Sequence, residues 1–344
     1  MLLYIGTYTH LGGPGAAVVR AENGRFELLD ACAAIPNPGY LALSEDGTTL
    51  YASSFSGEKQ KGAAASYRVK DGHLQPLSLQ PSGGADPCHI CLSEDERHLY
   101  ATNYVSGRVS VFPVVEGYIL PREQLIAHRG ASMAVPDRQE APHPHQSVFR
   151  PGTDELFVCD LGMDCVFVYL RDEETGHIIE KSRIATRPGD GPRHLVFDGP
   201  DRFFLACELS NDVLAYESDG ENWVLRSAVS ALPDGCTDES TVAAIRMKNG
   251  KIFVSNRGHD GVTRLSYAHG RLTREAFMPT EGRCPRDILP LGDDECIAAS
   301  QLSGGLEWIK DSRTIASLPI NGVVCVIPAQ YLYRTPRHSA AGRP

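Results

Sequence analysis

The stretch Pro192–Glu208, PRHLVFDGPDRFFLACE, contains two apolar runs, HLVF and FFLAC, around the polar turn DGPD. Two strand-like runs this close in sequence can only pair antiparallel, as a hairpin. Relatives of the stretch occur along the chain: PGYLALSEDGTTLYASS from Pro38, PCHICLSEDERHLYATN from Pro87, PHQSVFRPGTDELFVCD from Pro144 and PRDILPLGDDECIAASQ from Pro285. A shorter, degenerate copy, TVAAIRMKNGKIFVSN, starts at Thr241. Successive starts are 49, 57, 48, 49 and 44 residues apart, and a period near 50 residues indicates a solenoid or a propeller.

Weaker strand signals lie between the copies, such as GRVSVFPV from Gly107, DCVFVYLR from Asp164 and NDVLAYES from Asn211. About four strands per unit is the content of a propeller blade. Long amphipathic helical patterns are missing, which argues against helical solenoids. The N-terminal LLYIGTYT matches the second run of a hairpin, and the C-terminal NGVVCVIPAQYLY supplies its partners. Six hairpins and one divided between the termini predict an all-β, seven-bladed β-propeller closed by strands from both ends, since 344/7 is about 49. An open β-array or two β-sandwiches would not need complementary part-units at the two termini. Residues 1–333 are expected to form one domain, and 334–344, polar and aperiodic, a disordered tail.

An apolar fraction of 42% suffices for a globular core, and 33 Gly with 23 Pro imply many turns. The net charge of −10 makes nucleic acid or an anionic membrane an unfavourable partner. No apolar run has the length of a membrane span. Met1 is followed directly by the strand-like LLYIGTYT, without a signal-peptide pattern. The ten cysteines are scattered through apolar runs and read as buried reduced thiols, so a cytoplasmic protein is expected. Its oligomeric state is unmarked in the sequence, with a monomer as the default.

In an antiparallel hairpin the start of the first strand lies beside the end of the second, so in a propeller these ends converge on one channel mouth. The position after the initial Pro holds Gly39, Cys88, His145, Arg193, Val242 and Arg286; the next holds Tyr40, His89, Gln146, His194, Ala243 and Asp287. The repeat ends hold Thr7, Ser54, Asn103, Asp160, Glu208, Asn256 and Gln301, all polar after an apolar strand. Asn, Asp, Ser and Thr often close a strand by bonding the next turn, and Thr7, Ser54 and Asn103 are read that way. Glu makes such turns poorly. Arg193, Glu208 and Arg257, on adjacent blades, are therefore expected to meet at the mouth, either as a structural charge network or, with His145, as a pocket holding a base, an acid and two fixed cations.

These residues carry a resemblance. YIGTYT, PHPHQSVF, GPRHLVF, CELSNDV and SNRGHD resemble the lactonase-type seven-bladed propeller family, which includes propeller-type 6-phosphogluconolactonases and carboxy-cis,cis-muconate cyclases. The resemblance spans Tyr4 to about Leu306. It implies a metal-independent, cofactor-free hydrolase acting on a small sugar lactone or organic acid, with catalytic His145, Arg193, Glu208 and Arg257. His145 is then the base, with Glu208 orienting it or serving as base itself. The arginines would bind phosphate or carboxylate and stabilise an oxyanion. Substrate-binding roles are expected for His143, His194, Asp160, Asn256, Arg286 and Gln301. Cycloisomerisation of a carboxylated muconate would use the same groups. Two departures bear on the substrate: the fifth repeat reads STVAAI where the others have a Pro entrance, and a stretch from Tyr118 to Pro142 could be a lid or side wall.

Other motifs are weaker. A non-catalytic scaffold is the alternative of another class, but no Trp-Asp dipeptide of the WD40 type occurs. His143, His145 and Asp160 could ligate zinc, yet Pro144 separates the histidines and two arginines would repel a cation, so no metal is expected there. GGPGAA lacks the Lys-Ser/Thr ending of a phosphate loop. CHIC has redox spacing without the βαβ context. GCTDES, from Gly235, is not a serine-nucleophile elbow.

Overall fold

The computed structural model describes residues 1–57 and 61–329. The expected tail, 334–344, lies outside the described residues. Seven antiparallel sheets surround a central channel. Blades 1 to 6 begin with the inner strands Leu41–Leu43, Pro87–Leu92, Pro144–Phe149, Pro192–Phe197, Thr241–Lys248 and Pro285–Gly292. Blade 7 joins the two termini: Val323–Pro328 is its innermost strand, followed outward by Leu2–Thr7, Ala16–Glu22 and Arg25–Cys32. The ring is thus closed by backbone hydrogen bonds between the chain ends, as the divided hairpin predicts. At this closure the chain packs tightly: a Cβ on Gly6 would lie 2.1 Å from the Gly39 carbonyl oxygen.

The apolar runs are nearly continuous because both faces of each blade are buried, one against each neighbour. Consecutive residues therefore serve different interfaces. Phe203, Leu205 and Cys207 pack towards blade 3, while Phe204 and Ala206 pack towards blade 5. Leu3 and Ile5 face blade 6, and Tyr4 between them faces blade 1. Every one of the seven blade–blade interfaces has such an apolar cluster.

The only helical turn among the described residues is a 3-10 turn, Thr9–Leu11, and no helix there is long and apolar enough to cross a membrane. All ten cysteines are free; five are buried and five partly buried.

The stretch from Tyr118 to Pro142 differs from a simple insertion. Tyr118–Ile119 and Gln124–Ala127 pair with Arg108–Val115 and complete the outer edge of blade 2. Only the following residues, His128 to Pro142, cross towards blade 3. They are tied down rather than hinged. The His128 ring bonds Asp160 (2.5 Å) and Tyr169 (2.9 Å), Ser132 donates to Asp164 (2.5 Å), and Gln139 donates to the Leu161 carbonyl (2.8 Å). This segment is a fixed side wall.

Candidate active site

The register of the inner hairpins fixes which side chains enter the channel. In blade 4 Pro192 pairs with Cys207 and His194 with Ala206, so Arg193 is the extra residue of a β-bulge. The same shift leaves Cys88, His145 and Arg286 as the extra residues in blades 2, 3 and 6. A bulge re-aims one side chain out of the alternating pleat. All four bulged residues consequently line one small cavity near the mouth, with Tyr8 and His194. The residue after the initial proline is thus a channel residue for a backbone reason.

Glu208 follows directly on the second strand of blade 4, Arg202–Cys207. Its Oε2 accepts from Arg193 Nε at 2.8 Å and Arg257 Nη2 at 2.8 Å. Its Oε1 accepts from Arg138 Nη2 at 2.5 Å. One carboxylate therefore faces three guanidinium groups, an excess of two positive charges. Burial would raise the Glu208 carboxyl, but Arg257, Arg193, His145 and Arg138 outweigh it and hold it well below the usual carboxylate range. Burial, with Arg257 close by, pushes Arg193 down to about 9, still a cation at neutral pH. Nη1 of Arg193 and Nε of Arg257 are buried without hydrogen-bond partners.

His145 is buried, and its Nδ1 is also without a partner. Burial first, then the charge of Arg193, depresses its basicity well below the usual histidine range, so the ring is neutral at pH 7. Glu208 makes its side-chain hydrogen bonds to arginines, and none joins it to His145 among the described residues. The expected orientation of His145 by Glu208 is thus not present, because the carboxylate oxygens are already engaged.

The other expected residues divide into two groups. Arg286 enters the cavity and donates to Gln301 Oε1 at 3.4 Å. His194 lines it too, ring edges against His145 and His89, with both ring nitrogens unpartnered. His143 stands in the wall, stacked on Tyr104 and bonded to its carbonyl and to Glu140.

Asp160 and Asn256 are engaged in structural hydrogen bonds. Asp160 is fully buried and accepts from His128 and from the backbone of His143 and Met163. Asn256 is fully buried and donates to Thr263 at 3.0 Å, the strand-closing role that Asn103 plays with Ser110. The turn chemistry expected for three repeat ends thus extends to these two.

Sequence reading missed Arg138. It sits in an aperiodic loop, where nothing in the sequence marks it; only the anchoring of His128 to Pro142 carries it to Glu208. Being partly exposed at the rim, it can meet a substrate as it enters. Arg138→Ala is expected to weaken binding of an anionic ligand at the mouth about tenfold, the size of one lost charge-assisted contact, and to affect an uncharged ligand less. Binding titrations with two such ligands measure this; equal effects would remove Arg138 from anion recognition.

Tyr40, His194 and Asp287 form the cavity floor, and with His89 and Arg246 they fill the channel. Tyr40 and His89 lie with ring centroids 3.9 Å apart, and Arg246 bonds Asp287 at 2.6 Å and Tyr40 at 3.1 Å. The degenerate fifth repeat thus contributes a plug through Arg246. The larger depression, about 540 Å³, opens on the other side of this layer, and its walls are chiefly apolar, including Leu43, Leu92, Phe149 and Ile327. It has the greater volume but lacks the surplus of positive charge found at the mouth, so the mouth is the better candidate for chemistry.

Comparison with known proteins agrees with this architecture. Residues 2–315 match the family described as lactonase, 7-bladed beta-propeller. The chain is similar to the 6-phosphogluconolactonase of Bacillus subtilis, 32% identical over 333 residues that cover 92% of this chain and 93% of that one. Among solved structures it is similar to the periplasmic gluconolactonase of Pseudomonas aeruginosa, with a TM-score of 0.87, 28% identity and coverage of 95% and 99%. A putative 6-phosphogluconolactonase from Bacteroides uniformis has a TM-score of 0.84 at 27% identity, with coverage of 95% and 98%.

Proposed function

The chain belongs to the seven-bladed β-propeller lactonase family, and from that premise we propose that it hydrolyses a sugar δ-lactone, 6-phosphogluconolactone by preference, at the channel mouth without a metal ion. The observation that carries this reading is the imbalance around Glu208: three guanidinium groups share one carboxylate, and Arg193 Nη1 is buried without an acceptor. An unsatisfied buried donor costs about 1–3 kcal/mol, and more when charged. An anionic or anion-developing substrate supplies the missing acceptor. The relatives named for 6-phosphogluconolactone and gluconolactone support a sugar lactone, and the ten free thiols support a reducing, cytoplasmic compartment.

The chemistry assigns each group a distinct part. Glu208 is ionised and saturated by arginines, so it fixes their positions instead of accepting a proton. Neutral His145 takes a proton from the attacking water. The carbonyl oxygen gains negative charge in the tetrahedral intermediate, and Arg193 donates to it. Collapse breaks the bond between the acyl carbon and the ring oxygen, and the imidazolium returns the proton to that leaving oxygen. A histidine with depressed basicity is a weak acceptor in the first half but a strong acid in the second. The product carboxylate stays within reach of the arginines until it is exchanged for substrate.

The direct test is hydrolysis of freshly generated 6-phosphogluconolactone beside gluconolactone, in chelator, with the spontaneous rate subtracted. Turnover is expected to persist in chelator, to favour the phosphorylated lactone, and to fall about 10²–10⁴-fold in His145→Ala, the range of a lost general base. No turnover of either lactone above background would overturn the assignment, and an unimpaired variant would remove His145 from it.

A further inference from the structure

A cluster outside the mouth uses the GCTDES motif. We propose that Cys236, Asp238 and His259 form a zinc site on the rim, beside the turn that follows Arg257. Cys236 and Asp238 lie in the loop between Trp223–Ser230 of blade 4 and Thr241–Lys248 of blade 5. His259 lies in the turn after Lys251–Arg257. Thr241 pairs with Arg257, which places the end of the loop against the start of the turn. Ser240 holds them together: its hydroxyl donates to the Arg257 carbonyl at 3.1 Å and accepts from the His259 amide at 3.4 Å.

The donor atoms converge. Cys236 Sγ is 3.5 Å from His259 Nδ1, Asp238 Oδ2 is 2.7 Å from the same nitrogen, and all three atoms lie within 4.8 Å of one another. A thiol–imidazole–carboxylate relay would need the acid on one ring nitrogen and the thiol on the other. Here both face Nδ1, which can hold a single proton. That is the arrangement of ligands around a shared cation. Tetrahedral zinc with ordinary bond lengths sets its ligand atoms about 3.3–3.6 Å apart. The Cys–His separation already fits, and the exposed Asp238 side chain needs to withdraw by well under 1 Å.

The donor set selects the metal. Thiolate with imidazole favours zinc over the hard cations calcium and magnesium. The His259 ring packs on Phe277 at 4.7 Å between centroids, which fixes its direction. Asp238, Glu239 and Asp260 in these two segments offset the nearby charge of Arg257. Binding converts the thiol to thiolate and releases its proton. The three protein ligands leave a fourth position for water. Occupancy ties the loop to the turn that follows Arg257, and the inference is independent of the lactone reading.

The experiment is a Zn²⁺ titration of the full chain, stripped by chelator and desalted, in competition with a chromogenic chelator. One equivalent is expected to bind. Cys236→Ser and His259→Ala are each expected to weaken it at least 100-fold, while Cys284→Ser leaves it unchanged. Co²⁺ in place of Zn²⁺ is expected to give a thiolate-to-metal charge-transfer absorption that Cys236→Ser abolishes. Absence of a stoichiometric site, or binding that survives in the Cys236→Ser/His259→Ala double variant, overturns the proposal. Both positions lie on a partly exposed loop and turn, and circular dichroism of each variant separates lost ligation from lost fold.

Discussion

Glu208→Gln is expected to abolish lactone turnover and to destabilise the protein by about 3–5 kcal/mol, the cost of breaking a buried ion pair from one side. The substitution conserves shape, removes the charge and turns one acceptor oxygen into an amide donor. Arg193 is 2% exposed at its side chain and would remain buried with Arg138 and Arg257 close by and no carboxylate between them. Arg193→Ala is the informative contrast. It leaves Glu208 paired with Arg138 and Arg257, so the fold is expected to persist while kcat/KM falls about 10³-fold, the scale of a lost oxyanion donor. Chemical denaturation and kinetics on the two variants test this together. Equal stability of Glu208→Gln and the unsubstituted protein would show that the carboxylate does not hold the arginines. Full activity in Arg193→Ala would show that the buried guanidinium is not part of the chemistry.

Acid is expected to loosen the ring well before carboxylates protonate. His89, His145 and His194 are buried in one edge-to-face cluster, and burial, joined by nearby arginine charge, depresses all three well below the usual histidine range. In the unfolded chain they take up protons near pH 6.5. Below that value the unfolded state binds more protons than the folded one, so stability falls as pH falls. Each histidine contributes about 1.4 kcal/mol per pH unit, and three contribute about 4 kcal/mol per unit, until the folded rings themselves protonate. Glu208 acts in a lower window. Its folded-state pKa is depressed, so its contribution is complete above the unfolded value near 4.3 and is lost only as pH falls further. The guanidinium chloride midpoint is therefore expected to drop steeply between pH 6.5 and 5, and His194→Asn to flatten that drop by about a third. A midpoint that stays constant from pH 7 to 5 would mean that the folded rings take up protons as readily as those of the unfolded chain.

Both predictions depend on groups that the sequence allowed to be found in unequal measure. The columns after each initial proline picked out His145, Arg193 and Arg286, because a repeat of fixed length makes equivalent positions equivalent in space. The repeat-end column holds Asp160 and Asn256 beside Glu208, and only the poor fit of Glu to a strand-closing turn set Glu208 apart. All three follow an apolar strand and all are polar. They differ in which neighbour is near: His128 and backbone amides for Asp160, Thr263 for Asn256, and three arginines for Glu208. A column has no information about which side chains stand nearby in space.

The number of blades, the hairpin in each and the sharing of one blade between the termini were determined by the sequence alone, through a 50-residue period and near-continuous apolar runs. These are local properties, since strand pairing within a hairpin and burial of both faces leave their mark on consecutive residues. The site was decided by the tertiary structure. The bulge that turns Arg193 and His145 into the channel is a property of register against the facing strand. Arg138 arrives only because His128 and Gln139 anchor its segment to blade 3, and Cys236 meets His259 only because Thr241 pairs with Arg257. Charge and hydrogen bonding act across space between residues remote in the chain, and their outcome is fixed when the ring closes.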